Sequence, residues 1–560
     1  MPVQDQDLLS IQQARALAAR ARAAQRTLAG FTQEQVDRVV EAMAEAARQA
    51  AEDLAQKAHE ETGFGNVPDK TAKNLFAAVD VYQYIRGMRT VGILREDPGR
   101  RLLEIAEPMG VVAAIIPSTN PTATAINKAL ISIKARNACV MSPHPAAERS
   151  TFAAFQVMHR AAVAAGLPED ALACMTNVTI EGTQELMRSP DTSVILATGG
   201  MGLVRAAYSS GKPAYGVGPG NVPAYIEKTA DVPKAVRDVV AGKTFDYGTI
   251  CSSEQSIVCD EAIRDQVVSE LKKNGAHFLD DRELEAVSRV VVTPQRLANP
   301  EIVGRPATFI AQKAGIQVPP ETRVLIAPLR GVGREYPLSI EKLSPVLAFY
   351  VVKDWHEGCE RCLELLRFGG TGHTLGIHSR DQAVIRAFAL QKPVFRIVAN
   401  TQTAMGATGY TTGLAPSLSL GCGTFAGNIT SDNITPLHLM NIKRLAYELP
   451  REKRPWIAGE SPPGPPGECL TGRIAAFLNE RLPAPTPPAL SRPGPEPPRP
   501  ASAVPPDPQP ALDFVSEDNV RRALREGRKL LIGPRAIVTP LARDTAAGTD
   551  VLVSVSDSEP

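Results

Sequence analysis

A chain of 560 residues, 44% of them hydrophobic, is long enough to bury a large core and to divide into two or three domains. Its 61 Lys and Arg nearly cancel its 60 Asp and Glu, leaving a formal net charge of +1, so there is no broad basic field to hold phosphate backbone or anionic lipid. Nucleic acid and membrane surfaces are thereby set aside as partners, and no run of about 18 apolar residues is present to span a bilayer.

The opening stretch "MPVQDQDLLSIQQARALAARARAAQ" is acidic where a secretion signal is basic, and it lacks the continuous apolar segment of one. The expectation is a cytoplasmic protein with reduced thiols. The first ninety residues are Ala-rich with helical apolar spacing, as in Val36, Val39, Val40 and Met43 after the N-cap candidate Thr32. From about Leu103 the texture changes. The short apolar runs "GVVAAIIP", "ACVMSP", "SVILATGG", "PAYIE", "SIVC", "VLAFYV" and "RIVAN" alternate with helix-length stretches. That alternation predicts parallel strands covered on both faces, an α/β fold built from βα units.

Two glycine-bearing stretches follow apolar runs. In "SVILATGGMGLVRAAYSSGK", Thr198, Gly199, Gly200 and Gly202 open a helix whose free backbone amides suit a phosphate, although the pattern is not GxGxxG. In "YGVGPGNVPAYIE", the crowding of Gly216, Gly218, Pro219 and Gly220 implies backbone lying close to a ligand or to another segment.

Next comes "TFDYGTICSSEQS", which places Cys251 between an apolar residue and small polar ones. A core packer, a metal ligand, half of a disulfide and a nucleophile all fit that place. The chain's eight cysteines (Cys139, Cys174, Cys251, Cys259, Cys359, Cys362, Cys422 and Cys469) are scattered, unlike a dense disulfide framework. Only "CERC" has metal-like spacing; it sits in a helical stretch with no second pair at finger-like distance, so no metal site is expected. Cys139 and Cys259 read as strand core.

Six ordered blocks carry a resemblance: "EPMGVVAAIIPSTNPTATAINKALISIKARNACVMSPHP", "ILATGGMGLVRAAYSSGKPAYGVGPGN", "TFDYGTICSSEQS", "EKLSPVLAFY", "FGGTGHTLGIHS" and "LAPSLSLGCGTFAGN". Over roughly residues 10 to 450 the chain resembles the aldehyde dehydrogenase superfamily, within it the coenzyme A-acylating branch. The resemblance implies a Rossmann-type cofactor domain over 1–235 with an oligomerisation hairpin near 90–108, a catalytic cysteine domain over 236–425, and a return to the cofactor and oligomerisation region over 426–460.

Residue by residue, the resemblance makes Cys251 the nucleophile that forms a thiohemiacetal and then a thioester. Thr119 and Asn120, with backbone amides near Cys251, become candidates for holding the carbonyl oxygen. His373 in "GTGHT" matches a histidine of the acylating branch, and Glu341 matches the carboxylate that holds the nicotinamide ribose. Pro117, Ser118, Ser142, His144, Thr198, Gly199, Gly200, Gly202, Gly218 and Gly220 complete the expected cofactor surface. Hydrolytic members carry a water-activating glutamate in a "LELGGK" block, and here the matching place reads "YGVGPGN", without an acid. The reaction implied is a short-chain aldehyde (acetaldehyde or propionaldehyde) plus coenzyme A and NAD giving acyl-coenzyme A and NADH. NAD is favoured over NADP because Ser142-Pro143-His144 stands where NADP enzymes often carry a lysine. The competing readings are a hydrolytic aldehyde dehydrogenase, an acylating sulfoacetaldehyde dehydrogenase, a glutamyl phosphate reductase-like enzyme and a degenerate scaffold.

Positions 461 to 510 hold 17 of the 47 prolines, so 461–511 is expected to be a semi-rigid spacer. Beyond it, Ser516 caps an expected amphipathic helix reaching Leu531, with Val520, Ala523, Leu524, Leu530 and Leu531 as one apolar stripe and Arg521, Arg522, Arg525 and Arg528 outside it. Bacterial microcompartment enzymes of the acylating branch often carry such helices, which implies that 512–560 is an encapsulation segment with a shell protein as partner, the alternative being a tail that folds back on its own core or on a sister subunit. The remaining hundred residues are too few for an alcohol dehydrogenase domain.

Overall fold

The computed structural model describes residues 5–450, 512–547 and 549–554, in two compact units that divide at residue 459. The expected spacer at 461–511 and Cys469 lie outside the described residues. The large unit opens with helices Gln6–Leu28, Gln33–Gln49, Ala51–Thr62 and Val67–Leu75. Thr32 closes a capping box, its hydroxyl accepting the Gln35 N–H while the Gln35 side chain accepts the Thr32 N–H, and Val36, Val39, Val40 and Met43 are buried along one face.

Strands β1 (Ile93–Asp97) and β2 (Leu102–Pro108) form an antiparallel hairpin. Then come β3 (Val111–Ile115), β4 (Ala138–Ser142), β5 (Leu172–Cys174), β6 (Val194–Thr198) and β7 (Ala214–Val217), all parallel, in the spatial order β5-β4-β3-β6-β7. Every residue of β3 and β4 is buried, as expected of strands covered on both faces. The strand order reverses between β3 and β6, and a ligand crevice is expected at the carboxyl ends of that pair.

A second parallel sheet contains β8 (Val222–Ile226), β9 (Glu254–Asp260), β10 (Ala276–Phe278), β11 (Val324–Pro328), β12 (Val346–Val352), β13 (Gly372–His378) and β14 (Val394–Ala399), in the order β10-β11-β12-β9-β8-β13-β14. The changeover between sheets falls at 218–221, ahead of the boundary expected at 235, because the crowded turn Gly218-Pro219-Gly220 ends one sheet and β8 already belongs to the next. The chain then returns, and β15 (Met440–Ala446) pairs with β2 to complete the hairpin sheet.

The small unit is not the single helix the apolar stripe suggested. Strands β16 (Leu512–Val515), β17 (Leu530–Val538) and β18 (Leu552–Ser554) form a parallel sheet with helices Glu517–Glu526 and Pro540–Ala546 as the crossovers. The first helix stops at Gly527 (φ 61), a left-handed cap that turns the chain so that Leu530 and Leu531 become strand. Val515, Val520, Ala523, Leu530, Ala542, Ala546 and Val551 make its core.

Ile195 lies fully buried on β6, between β3 and β7. Ile195→Ala is expected to cost about 2–5 kcal/mol, read as a lower denaturant midpoint with the slope unchanged.

Candidate active site

A cavity of about 980 Å³ opens at the carboxyl ends of β3 and β6, where the strand order predicts it, and faces the amino ends of β8 and β9. Pro117, Ser118, Thr119 and Asn120 line it directly after β3, His144 after β4, Thr198, Gly199, Gly200 and Gly202 after β6, and Gly218 after β7. Cys251 enters from the turn before β9, and Glu341 from the loop before β12. Twelve of the sequence-selected residues are thus brought to one surface although they are spread over 225 positions of chain.

Three are not on that surface. Ser142 is buried at the end of β4 with its hydroxyl 2.8 Å from that of Thr183, so it packs strand against helix. Gly220 and His373 sit just behind Cys251. A methyl group on Gly220 would lie 2.5 Å from the Cys251 carbonyl oxygen and 2.9 Å from the His373 ring, which leaves room only for glycine. His373 is fully buried, its Nδ1 is 3.0 Å from the Thr374 hydroxyl, and its Nε2 has no partner. Burial, reinforced by the Arg396 cation, pushes its pKa down to about 3, so the ring is neutral. The histidine therefore packs behind the Cys251 backbone and does not open onto the cavity.

The environment of Cys251 opposes ionisation. Burial raises its pKa first, then the Glu341 carboxylate and Cys422, to about 12, while Arg396 and the cysteine's own backbone amide pull it down. Glu341 is itself pushed up to about 7 by burial, against the Gly220 N–H, which donates to Oε1 at 2.9 Å, and the cations of Lys243 and Lys342. This bond ties the loop before β12 to the turn before β8. Beneath it, Lys243 Nζ donates to Gln255 Oε1 at 2.8 Å, and Glu254 Oε1 accepts the Thr403 N–H at 2.6 Å.

The turn into Cys251 is anchored from the helical region. Asp246 is fully buried, accepts from Lys73, from Lys70 at 3.1 Å, from the Thr249 hydroxyl at 2.7 Å and from the Asn66 N–H at 2.9 Å. Asp246 and Tyr247 have φ of 46 and 52, conformations that cost non-glycine residues on the order of 1–3 kcal/mol each. Sequence reasoning missed Asp246, Lys70, Lys73, Glu254 and Arg396. Asp246 and Glu254 stand within "TFDYGTICSSEQS", but only the fold shows that distant lysines meet the first, and Arg396 was read only as part of a strand.

The aldehyde dehydrogenase family model matches residues 3–286, more than half of the chain. The chain belongs to the aldehyde dehydrogenase family. It is 44% identical over 436 residues to the bifunctional aldehyde-alcohol dehydrogenase of Escherichia coli, which covers 77% of this chain and 49% of that protein; the chain thus spans about half the length of such bifunctional relatives. Among solved structures it is similar to an acetylating aldehyde dehydrogenase from Geobacillus thermoglucosidasius, with TM-score 0.79, 53% identity and coverage of 80% of this chain and 99% of that one. A propionaldehyde dehydrogenase from the fucose utilisation microcompartment of Clostridium phytofermentans superposes with TM-score 0.70 and 28% identity, covering 77% of this chain and 96% of that one. Family membership agrees with the two parallel sheets and with a cavity that has a cysteine on one wall and a glycine-lined helix start on the other.

Because the thiol is held near pKa 12, alkylation of Cys251 by iodoacetamide in the free enzyme is expected to climb with pH through 9 without a plateau. Glu341→Gln removes a charge that disfavours the thiolate, so its alkylation at pH 8 is expected to be several-fold faster than that of the unaltered protein. An equal or slower rate would contradict this electrostatic account.

Proposed function

We propose that the chain is an acylating aldehyde dehydrogenase converting a short-chain aldehyde, coenzyme A and NAD into acyl-coenzyme A and NADH, with Cys251 as nucleophile. The observation that carries the reading is the cavity itself: Cys251 opens onto it, and among the described residues Glu341 is the only acid lining it. The "YGVGPGN" turn, where a water-activating glutamate would stand in hydrolytic relatives, presents Gly218 and Pro219 instead. With no dedicated base for water, the acyl group waits for a thiol, which is a far better nucleophile than water near neutral pH.

In this reading the S–H bond of Cys251 breaks, its proton leaving to solvent through the cavity, as the sulfur bonds to the aldehyde carbon and the carbonyl oxygen gathers charge. Asn120 Nδ2, which donates to the Thr119 hydroxyl at 3.1 Å and to the Thr249 carbonyl at 3.3 Å beside the cavity, exchanges one of these bonds to donate to the aldehyde oxygen, together with backbone amides beside Cys251. NAD, when bound, supplies the acceptor for the hydride leaving the aldehyde carbon. The Cys251 thioester that results is attacked by the thiol of coenzyme A, and Cys251 departs as thiolate and takes up the proton that the coenzyme A thiol gives up. The residues present fit the cofactor: Thr198, Gly199 and Gly200 give a tight turn into helix Met201–Tyr208, whose amino end faces the cavity with free N–H groups, and Glu341 is placed to accept a ribose hydroxyl. His144, exposed at the rim, offers no lysine-like charge for a 2'-phosphate, which supports NAD over NADP. Among the described lining residues there is no Lys or Arg, while Ile250, Leu343, Leu418 and Leu420 line the cavity and Leu420 packs with Cys251. An uncharged acetaldehyde or propionaldehyde suits such a wall better than a sulfonated aldehyde.

The hairpin sheet of β1, β2 and β15 carries the exposed apolar side chains Ile93 and Leu445, and we take it as the contact of a homo-oligomer. The microcompartment relative supports a cytoplasmic enzyme confined in a protein shell, with 512–560 as the packaging unit, now read as a small α/β unit and not a lone helix.

NADH formation from propionaldehyde is expected to require coenzyme A and to disappear in Cys251→Ala, with NADP a poor substitute. Turnover without coenzyme A would establish the hydrolytic reaction instead. A fluorescent reporter fused to residues 512–560 is expected to co-localise with shell protein, and diffuse fluorescence in shell-forming cells would exclude packaging by this unit.

A further inference from the structure

Asn120 has a partner that neither the motif nor the cavity explains. Its carbonyl oxygen Oδ1 accepts from Lys73 Nζ. An ammonium only donates, so Lys73 fixes which way the carboxamide faces: oxygen toward the lysine, NH2 toward the Thr119 hydroxyl at 3.1 Å and the Thr249 carbonyl at 3.3 Å. Without Lys73 only the 3.3 Å bond to the Thr249 carbonyl favours that orientation, and the flipped amide presents an acceptor to the substrate's oxygen.

Lys73 is an unusual residue to bury. Lys70 and Lys73 are each 2% exposed, and Asp246, between them, is fully buried. Burial of charge is costly unless each member is paired and hydrogen-bonded. Here the second positive charge is balanced by Asp69, whose Oδ2 accepts the Asp246 N–H at 2.7 Å and the Asn66 side-chain N–H at 2.7 Å. Lys70 and Lys73 lie one helical turn apart on helix Val67–Leu75, so both reach the same carboxylate. Lys70 also donates to the Thr119 carbonyl at 3.3 Å, which holds the residue preceding Asn120. The cluster thus joins three separate segments: the helix, the loop 119–120 after β3, and the turn 246–249, left-handed over 246–248, that delivers Cys251.

We propose that Lys73 is a positioning residue for the acyl-forming step: seated on Asp246, it locks the Asn120 carboxamide so that Nδ2 meets the oxyanion developing next to Cys251. Asp246 is the common anchor, holding Lys73 with one oxygen and setting the backbone turn that carries the nucleophile. Lys73 touches neither substrate nor cofactor; it acts through Asn120. The inference rests on the roles given to Cys251 and Asn120 above.

The test compares Lys73→Met, Lys70→Met, Asn120→Ala and the double variant Lys73→Met/Asn120→Ala, each measured for NADH formation from propionaldehyde and coenzyme A and for thermal stability. Losing one oxyanion donor is expected to lower kcat about a hundredfold. Lys73→Met is expected to show most of that loss with KM for the aldehyde within about twofold of the unaltered enzyme. The double variant should be no slower than Asn120→Ala, because a residue acting through Asn120 has nothing left to position. Lys70→Met removes the other lysine from Asp246 and the bond to the Thr119 carbonyl yet leaves the Asn120 oxygen held, so it should lose clearly less of kcat than Lys73→Met. Full activity in Lys73→Met, losses that multiply in the double variant, or equal damage from Lys70→Met would each overturn the proposal. Should Lys73→Met fail to fold, Asn120→Asp decides: it keeps an oxygen for Lys73 but removes the donor, and a retained rate would show that the outward group was never the NH2. Undiminished activity in Asn120→Ala overturns the assignment of Asn120 itself, and is distinguished from failure of the Lys73 proposal alone, in which Asn120→Ala is slow and Lys73→Met is not.

Discussion

The active site depends on one close approach, that of the Gly220 backbone to Cys251. Gly220 leaves no space for a side chain between the Cys251 carbonyl and the His373 ring, and its N–H holds Glu341. Three segments that begin neighbouring strands of the second sheet, β8, β9 and β13, are thereby brought into register at their amino ends. The first sheet presents its carboxyl ends to the same space, so the cavity lies between the strand ends of two sheets and neither sheet alone forms it.

Electrostatically the pocket is conservative in the free protein. Cys251 is protonated, Glu341 on the lining is poised near neutrality and His373 behind the Cys251 backbone is neutral. A thiol held this way is spared reaction with adventitious electrophiles and oxidants, which attack the thiolate. Formal charge is concentrated instead in the buried lysine and aspartate groups behind the wall, where it fixes geometry. Reactivity is then left to the groups that arrive with the substrates.

Much of this was legible in the sequence. Apolar runs such as "GVVAAIIP" and "SIVC" announced buried parallel strands because a strand covered on both faces has no polar side to alternate with. The glycine turns and Cys251 were legible because backbone crowding and thiol chemistry leave few residue choices. The short strands β5, β7 and β10 were not, having three or four residues and no periodicity to detect. Nor was the place of His373, since a motif gives proximity but not which side of a wall a ring occupies. The Lys73–Asp246 pair is 173 positions apart and carries no local signal at all. In the C-terminal unit a single glycine, Gly527, separated what looked like one stripe into helix and strand, a distinction that hydrophobic spacing over so short a stretch does not resolve.

The pairing of β2 with β15 sets an order of events during synthesis. Met440 lies opposite Pro108 and Ala446 opposite Leu102, so the central strand of the hairpin sheet keeps one edge open until more than three hundred further residues have left the ribosome. Contacts of such separation form late, and an open strand edge is a template for pairing with other chains while it waits. Glu104 and Glu107 on β2 later receive Arg444 and Lys443. Until then they leave like charges along that edge, which discourages one nascent chain from borrowing the strand of another.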